Sequence, residues 1–180
     1  MRIVIQRVSE GSVSIVEEKA QGEGCDKVAA NRTCNGERNE VTNGERNEGV
    51  RKIGKGFVIL LGVCEEDTEE DVEWLVKKVV NLRVFDDENG VMNRSIMDTG
   101  GECLVVSQFT LFASYKKGNR PSWLRAARHE ISVPLYERFC QRLQEEMGRE
   151  VKTGEFGANM SVSIVNDGPV TICMDTKNKE

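Results

Sequence analysis

Histidine is almost absent from this 180-residue chain: His129 is the only one, and proline is confined to Pro121, Pro134 and Pro169. A Ser-His-Asp mechanism would therefore have to run through His129, which is followed by Glu130 in a charged stretch with nothing resembling a nucleophile elbow nearby. Six cysteines (Cys25, Cys34, Cys64, Cys103, Cys140, Cys173) form no Cys-x-x-Cys pair, so neither a structural zinc site nor a disulfide scaffold is expected. No metal or cofactor is called for. No run approaches the roughly 18 uninterrupted apolar residues of a membrane span, and Arg2 and Gln6 interrupt the stretch where a signal peptide would be apolar. The chain reads as cytoplasmic, with no membrane partner. Its net charge of −5, from 25 basic and 30 acidic residues, argues against a general nucleic-acid coat, which needs a net basic surface.

What is present, 31% charged and 38% hydrophobic residues, is the balance of one globular domain over residues 1–180. Arg2–Val8 and Ser12–Val16 alternate apolar residues around Ser9-Glu10-Gly11, which predicts an opening hairpin. From Glu18 to Lys52 the chain has no aromatic residue, and it repeats Asn-Gly-Glu-Arg-Asn-Glu at Asn35–Glu40 and Asn43–Glu48. Such a segment buries too little apolar surface to offset its ordering entropy, so 18–52 is expected to be a flexible insertion.

Phe57–Val63 is a continuous apolar run of the kind buried on both faces of a sheet. Thr68 or Asp67 can cap a helix in which Val72, Leu75, Val76 and Val79 share one face. Arg83–Phe85 reads as a short strand, and Glu102–Ala113 as a strand interrupted by Ser107, Gln108 and Thr110. Ser132 and Pro134 open a second helix with Leu135, Phe139, Leu143 and Met147 inward and Gly148 as its stop. Val151–Phe156, Asn159–Val165 and Val170–Met174 complete about seven strands, the last two joined by a turn at Asn166–Pro169. The fold class expected is α+β: a curled mixed or antiparallel sheet, barrel-like, with two main helices packed outside.

Two segments break local rules. Ser107-Gln108-Phe109-Thr110 puts hydrogen-bonding side chains in an apolar strand, either as one polar face or as a site directed at a ligand carbonyl. Asn166-Asp167-Gly168-Pro169 is a hairpin turn by position, yet its proline enters the next strand, where it removes a ladder donor. A third feature, Lys116, Lys117, Arg120, Arg125 and Arg128 interleaved with Tyr115 and Trp123, directly follows the polar strand. It is either a solvated face or a hold on phosphates beside the site.

These motifs, with the opening MRIVIQRVS, GKGFVILLGV, NLRVFDDENGVMN, SQFTLFA, KKGNRPSW, the GANM segment at Gly157–Met160 and NDGPVT, resemble the D-aminoacyl-tRNA deacylases of the D-tyrosyl-tRNA deacylase family. The resemblance covers nearly the whole chain outside 18–51. It implies hydrolysis of the ester of D-aminoacyl-tRNA and glycyl-tRNA, a chiral proofreading of translation, by a homodimer. In that picture Gly168 and Pro169, joined by a cis bond, enter the partner's site and exclude an L side chain, with Arg7 orienting them. Ser107, Gln108, Phe109 and Thr110 line the catalytic pocket, Phe109 lies close to the terminal adenosine, and Met160 lies near the same pocket. Thr110 has no base evident beside it, which favours water attack assisted by the terminal 2′-hydroxyl of the tRNA over a threonine nucleophile. The long 18–52 stretch, where members usually have a short turn, is the one departure.

Overall fold

The computed structural model of the protein describes residues 1–16 and 49–179. Most of the expected insertion, residues 18–48, lies outside that set, as does residue 17. Its last two residues, Arg51 and Lys52, belong to a strand.

The opening hairpin is replaced by one long strand, β1, over Arg2–Ile15. Gly11 is the reason: a Cβ there would stand 2.6 Å from Val58 Cγ2, so the glycine serves close packing between strands rather than a turn. Strands β2 (Arg51–Ile53) and β3 (Gly56–Gly62) follow one another antiparallel to β1, from Val13 opposite Arg51 to Arg2 opposite Gly62. The hairpin of this region is thus formed by β1 with β2 and β3, and it closes through residues 17–48.

Beyond β3 the chain forms α1 (Glu69–Asn81), β4 (Phe85–Asp86), β5 (Met92–Arg94), the short α2 (Ile96–Thr99) and β6 (Glu102–Ser107). A 3-10 turn over Phe109–Phe112, α3 (His129–Met147), β7 (Val151–Thr153) and β8 (Met160–Asp175) complete it. Strand β6 runs parallel to β3, and β7 parallel to β6. On the other flank of β1, β8 pairs antiparallel along almost its whole length, from Arg2 opposite Asp175 to Ile15 opposite Met160. The result is a mixed sheet curled into a nearly closed barrel, with α1 and α3 outside as expected and α2 unanticipated.

The turn expected at Asn166–Pro169 also resolves differently from the sequence reading. Asn159–Val165 and Val170–Met174 are one strand, because Asn166 pairs with Val8 and Val170 with Arg7, leaving Asp167, Gly168 and Pro169 as a bulge. The short strand near residue 84 begins at Phe85 rather than Arg83.

Burial divides along the sheet. Ile3, Ile5, Phe57, Ile59 and Val105 pack with Val72, Leu75, Val76 and Val79 of α1 and Tyr136, Phe139, Leu143 and Met147 of α3. A smaller cluster, Val8, Val13, Ile53, Val58, Leu104 and Val106, occupies the other side, with Met160, Val162 and Ile164 half-buried against it. This explains why the Phe57–Val63 run is apolar at consecutive positions. Helix α1 starts where expected, Thr68 capping and Asp71 Oδ2 accepting from the Thr68 N–H at 2.8 Å. Helix α3 begins three residues before Ser132: the Arg128 carbonyl accepts from the Ser132 N–H and hydroxyl at 2.8 and 2.9 Å, so Pro134 sits inside the helix. Its inward residues include Ser132 and Tyr136, whereas Leu135 is only half-buried; Gly148 ends it at φ 63°.

Candidate active site

Strand β6 ends at Ser107 because the backbone turns there. The Gln108 N–H still donates to the Leu61 carbonyl at 2.7 Å, and from Phe109 the chain tightens into its 3-10 turn. Gly62 permits this crossing, since a Cβ on it would lie 2.9 Å from the Gln108 carbonyl oxygen. The polar run is therefore not inside a strand, as the sequence suggested. It lies at the strand's C-terminal end, where its side chains are relieved of burial.

Ser107, Gln108 and Phe109 form one side of a cleft of about 690 Å³. The segment Phe156–Met160 lines it too, together with Trp123, His129 and Tyr136. Met160 has its place because residue 154 is glycine: a Cβ there would meet Met160 Sδ at 2.6 Å. An aromatic cluster stiffens the lining, with Phe156 edge-on to His129 at 5.4 Å and to Tyr136 at 5.6 Å. The Tyr136 hydroxyl donates to the Val105 carbonyl at 3.0 Å. Burial, above all, pushes this phenol well above its ordinary range, so it remains a neutral donor.

Thr110 is not among the residues lining the cleft, but it is tied to one that is: Gln108 Nε2 donates to Thr110 Oγ1. An amide donating to the hydroxyl oxygen orients that group without removing its proton. Phe109 opens the 3-10 turn, so its own N–H has no acceptor within that turn, whereas the neighbouring Gln108 N–H is committed to Leu61. His129 was set aside in the sequence by its charged surroundings. The start of α3 brings it into the cleft, and neither it nor Tyr136 or Phe156 carried a local signal of membership, whereas Trp123 stood out only as part of the basic run.

The second group of expected residues is gathered elsewhere. Arg7, 5% exposed, donates from Nε to the Asp167 carbonyl at 3.0 Å and from an Nη to the Val84 carbonyl at 2.6 Å. Its guanidinium also lies 3.4 Å from the carboxylates of Asp86 and Asp167. The Gly168-Pro169 bond is cis, and Gly168 has φ +120°, a conformation that L side chains rarely adopt. A Cβ on it would also stand 3.0 Å from an Arg7 guanidinium nitrogen. Arg7 is thus in direct contact with the Gly-Pro segment. Among the described residues lining the cleft, Arg7, Gly168 and Pro169 do not appear.

The basic run flanks the cleft. Ser114 and Ser122 exchange two backbone hydrogen bonds of 2.8 Å, closing a loop that carries Lys116, Lys117 and Arg120, all exposed. Arg2 and Arg125 lie over the Phe112 ring, 4.7 and 5.9 Å from its centroid. Among the described residues no group of three or more His, Cys, Asp or Glu is placed to hold a metal ion, and no helix is long and apolar enough to cross a membrane.

Comparison with known proteins places this geometry. A D-aminoacyl-tRNA deacylase of Bacteroides thetaiotaomicron is 56% identical over 180 residues, covering 100% of both chains, so the alignment runs through the 18–52 stretch as well. One from Dechloromonas aromatica is 58% identical over 131 residues, 73% of this chain and 87% of its own. A solved structure described as c-Myc DNA Unwinding Element Binding Protein superposes with a TM-score of 0.73 at 35% identity, covering 98% of this chain and 99% of that one. A structure described as a probable eukaryotic D-amino acid tRNA deacylase shares the fold with a TM-score of 0.68 at 15% identity, over 96% and 97%. The family model of D-Tyr-tRNA(Tyr) deacylase matches residues 4–175, and the chain belongs to that family.

Proposed function

We propose that this chain hydrolyses the ester linking a D-amino acid, or glycine, to the 3′-terminal adenosine of tRNA, releasing free tRNA and the amino acid. The observation that carries the reading is the convergence of Ser107, Gln108, Phe109 and Met160 on one cleft, in a member of a family that acts on aminoacyl-tRNA. Water adds to the ester carbonyl, and the developing oxyanion is met by the backbone N–H at Phe109, a fixed donor in a partly desolvated site. The leaving group is the ribose oxygen of the terminal adenosine, and the adjacent 2′-hydroxyl of the RNA assists proton transfer. Thr110 acts through Gln108 as a positioning group, since an amide donor on its oxygen is not a base.

Chirality is selected by Gly168 and Pro169 of a second copy of the chain. Two features support this. These residues are not among those lining the cleft of their own chain, and among the described residues β8 has no partner on its outer edge, while Val162, Ile164, Val170 and Ile172 along it are only half-buried. A homodimer built on that edge brings backbone, not side chain, against the α-carbon of the substrate, and an L side chain then meets peptide atoms. The Arg7 contact fixes the carbonyls of this segment, which accept from the substrate's α-ammonium group. The catalytic unit is a single domain acting in the cytoplasm, with residues 18–48, short of β2, as an insertion into it.

Hydrolysis of D-tyrosyl-, L-tyrosyl- and glycyl-tRNA by the purified protein tests the reading. Loss of the D and glycyl esters with the L ester spared is the expected result. Equal hydrolysis of both enantiomers overturns the chiral role, and hydrolysis of none overturns the activity.

A further inference from the structure

Trp123 stands between two cavities. On one side is the cleft described above; on the other is a second, more open hollow of about 590 Å³ lined by Glu65, Ser122, Leu124 and Arg128 as well as Trp123. The terminal adenosine and the aminoacyl group are accommodated in the first, and nothing so far uses the second.

The backbone that carries the indole is held from several directions. Ser122 is pinned to Ser114, the Ala126 N–H donates to the Trp123 carbonyl at 2.9 Å, and Ala126 pairs in turn with Cys64. Phe109 meets the indole edge-on at 5.4 Å from the cleft side. Yet Trp123 is still 41% exposed, and Leu124 beside it is 93% exposed. Exposing a rigidly mounted indole costs apolar surface without any return to the fold. Around it Arg120, Arg125 and Arg128 are all exposed, so the apolar surface is set in a positive field. An aromatic platform with flexible cations around it is the composition of a single-strand nucleic-acid site, because every base offers a π-face and every linkage a phosphate.

Resting on the deacylase reading, we propose that the second hollow is the subsite for the penultimate nucleotide of the tRNA acceptor end. Its base stacks on Trp123, and its phosphate is met by Arg128. Glu65 gives the hollow a polarity of its own. Its carboxylate accepts from the Arg128 N–H at 3.1 Å and lies 3.8 Å from the Arg128 guanidinium. A half-exposed carboxylate at the rim accepts from an exocyclic amino group, which favours an amino-bearing base such as cytosine over uracil. Trp123 is then a positioning residue: it threads the unpaired strand so that the terminal ester reaches Gln108 and Phe109.

The test compares two substrates of which only the first has a penultimate nucleotide: D-tyrosyl-tRNA and the D-tyrosyl ester of adenosine. With Trp123→Ala, KM for the tRNA substrate is expected to rise roughly five- to hundredfold, the span of one lost base stack, with kcat changed less than about twofold. Because Trp123 also lines the cleft, the adenosine ester loses some rate too, but several-fold less than tRNA, and Trp123→Phe should restore most of the tRNA affinity. Equal loss on both esters, or no loss on tRNA, overturns the subsite. Hydrolysis of neither ester by the unaltered chain overturns the deacylase reading and the proposal together. Fluorescence gives an independent readout in the Trp74→Phe variant, whose single indole is Trp123. The dinucleotide cytidylyl-adenosine should quench it at lower concentration than adenosine monophosphate, and equal quenching by the two overturns the stacking role.

Discussion

Arg7 of the first strand donates its Nε to the carbonyl of Asp167 in the bulge of the last strand, at 3.0 Å. The same guanidinium binds the Val84 carbonyl, so one buried side chain fixes three separate stretches of chain. Removing it in Arg7→Ala leaves buried carbonyls without a donor, at a cost of about 1–3 kcal/mol per group. A shift of the urea midpoint to lower concentration is expected, together with a reduced ratio of D- to L-tyrosyl-tRNA hydrolysis. Arg7→Lys should rescue little, because an ammonium does not reproduce the forked geometry. A D-to-L ratio unchanged in folded Arg7→Ala would show that the bulge holds its orientation unaided.

Thr110→Ala should weaken turnover without abolishing it, by about tenfold or less, since the variant loses only the partner of Gln108 Nε2. Rapid-quench kinetics with D-tyrosyl-tRNA measure this directly. Complete loss of turnover in a folded variant would restore the threonine nucleophile.

Asp71 and Lys177 tie the C-terminal tail to the start of α1, Nζ to Oδ2 at 2.8 Å. Burial works to raise the Asp71 pKa, but hydrogen bonds from Lys177, Thr176 and the Thr68 N–H overcome it and hold the carboxyl well below its usual value. Its contribution to stability is therefore complete above about pH 4, the unfolded value, and is lost as pH falls through the lower folded value. Lys177 is shifted upward, chiefly by its bond to Asp71, so its contribution is complete below its unfolded pKa and fades in strong alkali. Asp71→Asn, which also weakens the Thr68 capping box, should lower stability at pH 7 by about 1 kcal/mol. In thermal melts the difference from the unaltered chain should shrink towards pH 2.

The register of β1 against β2 puts Val13 opposite Arg51, so the chain enters and leaves residues 17–48 at neighbouring points. Replacing 18–48 by a short Asn-Gly-containing turn should then leave the melting temperature and the deacylation rate within experimental scatter of the full chain. A large rise in KM for tRNA on this deletion would make the segment an RNA-binding arm.

How far the sequence disclosed this molecule depends on how local the cause of each feature is. The Phe57–Val63 strand, the Thr68 and Asp71 start of α1 and the Gly148 stop of α3 were legible because their reasons lie within a few residues. Gly11 was misread because its reason is Val58, and the Ser107–Thr110 run was placed in a strand because the turn is set by the Leu61 carbonyl. Asn166–Pro169 looked like a hairpin for the same reason: only the pairing of Asn166 with Val8 and Val170 with Arg7 makes it a bulge. The cleft was half legible. Ser107, Gln108, Phe109 and Met160 were named from motifs, whereas His129, Tyr136 and Phe156 are brought there by α3 and the loop after β7, which no spacing rule anticipates.

The pairing of β1 with β8 also orders events in time. Arg2 finds Asp175, and Ile15 finds Met160, so β1, made early, waits for the later β8 before one of its edges is satisfied. A nascent chain stalled before residue 160 presents that edge to its surroundings and lacks the Met160 part of the cleft. Competence to hydrolyse an ester is therefore acquired only after β8 has been made, and a copy that stops short of it is a candidate for chaperone capture.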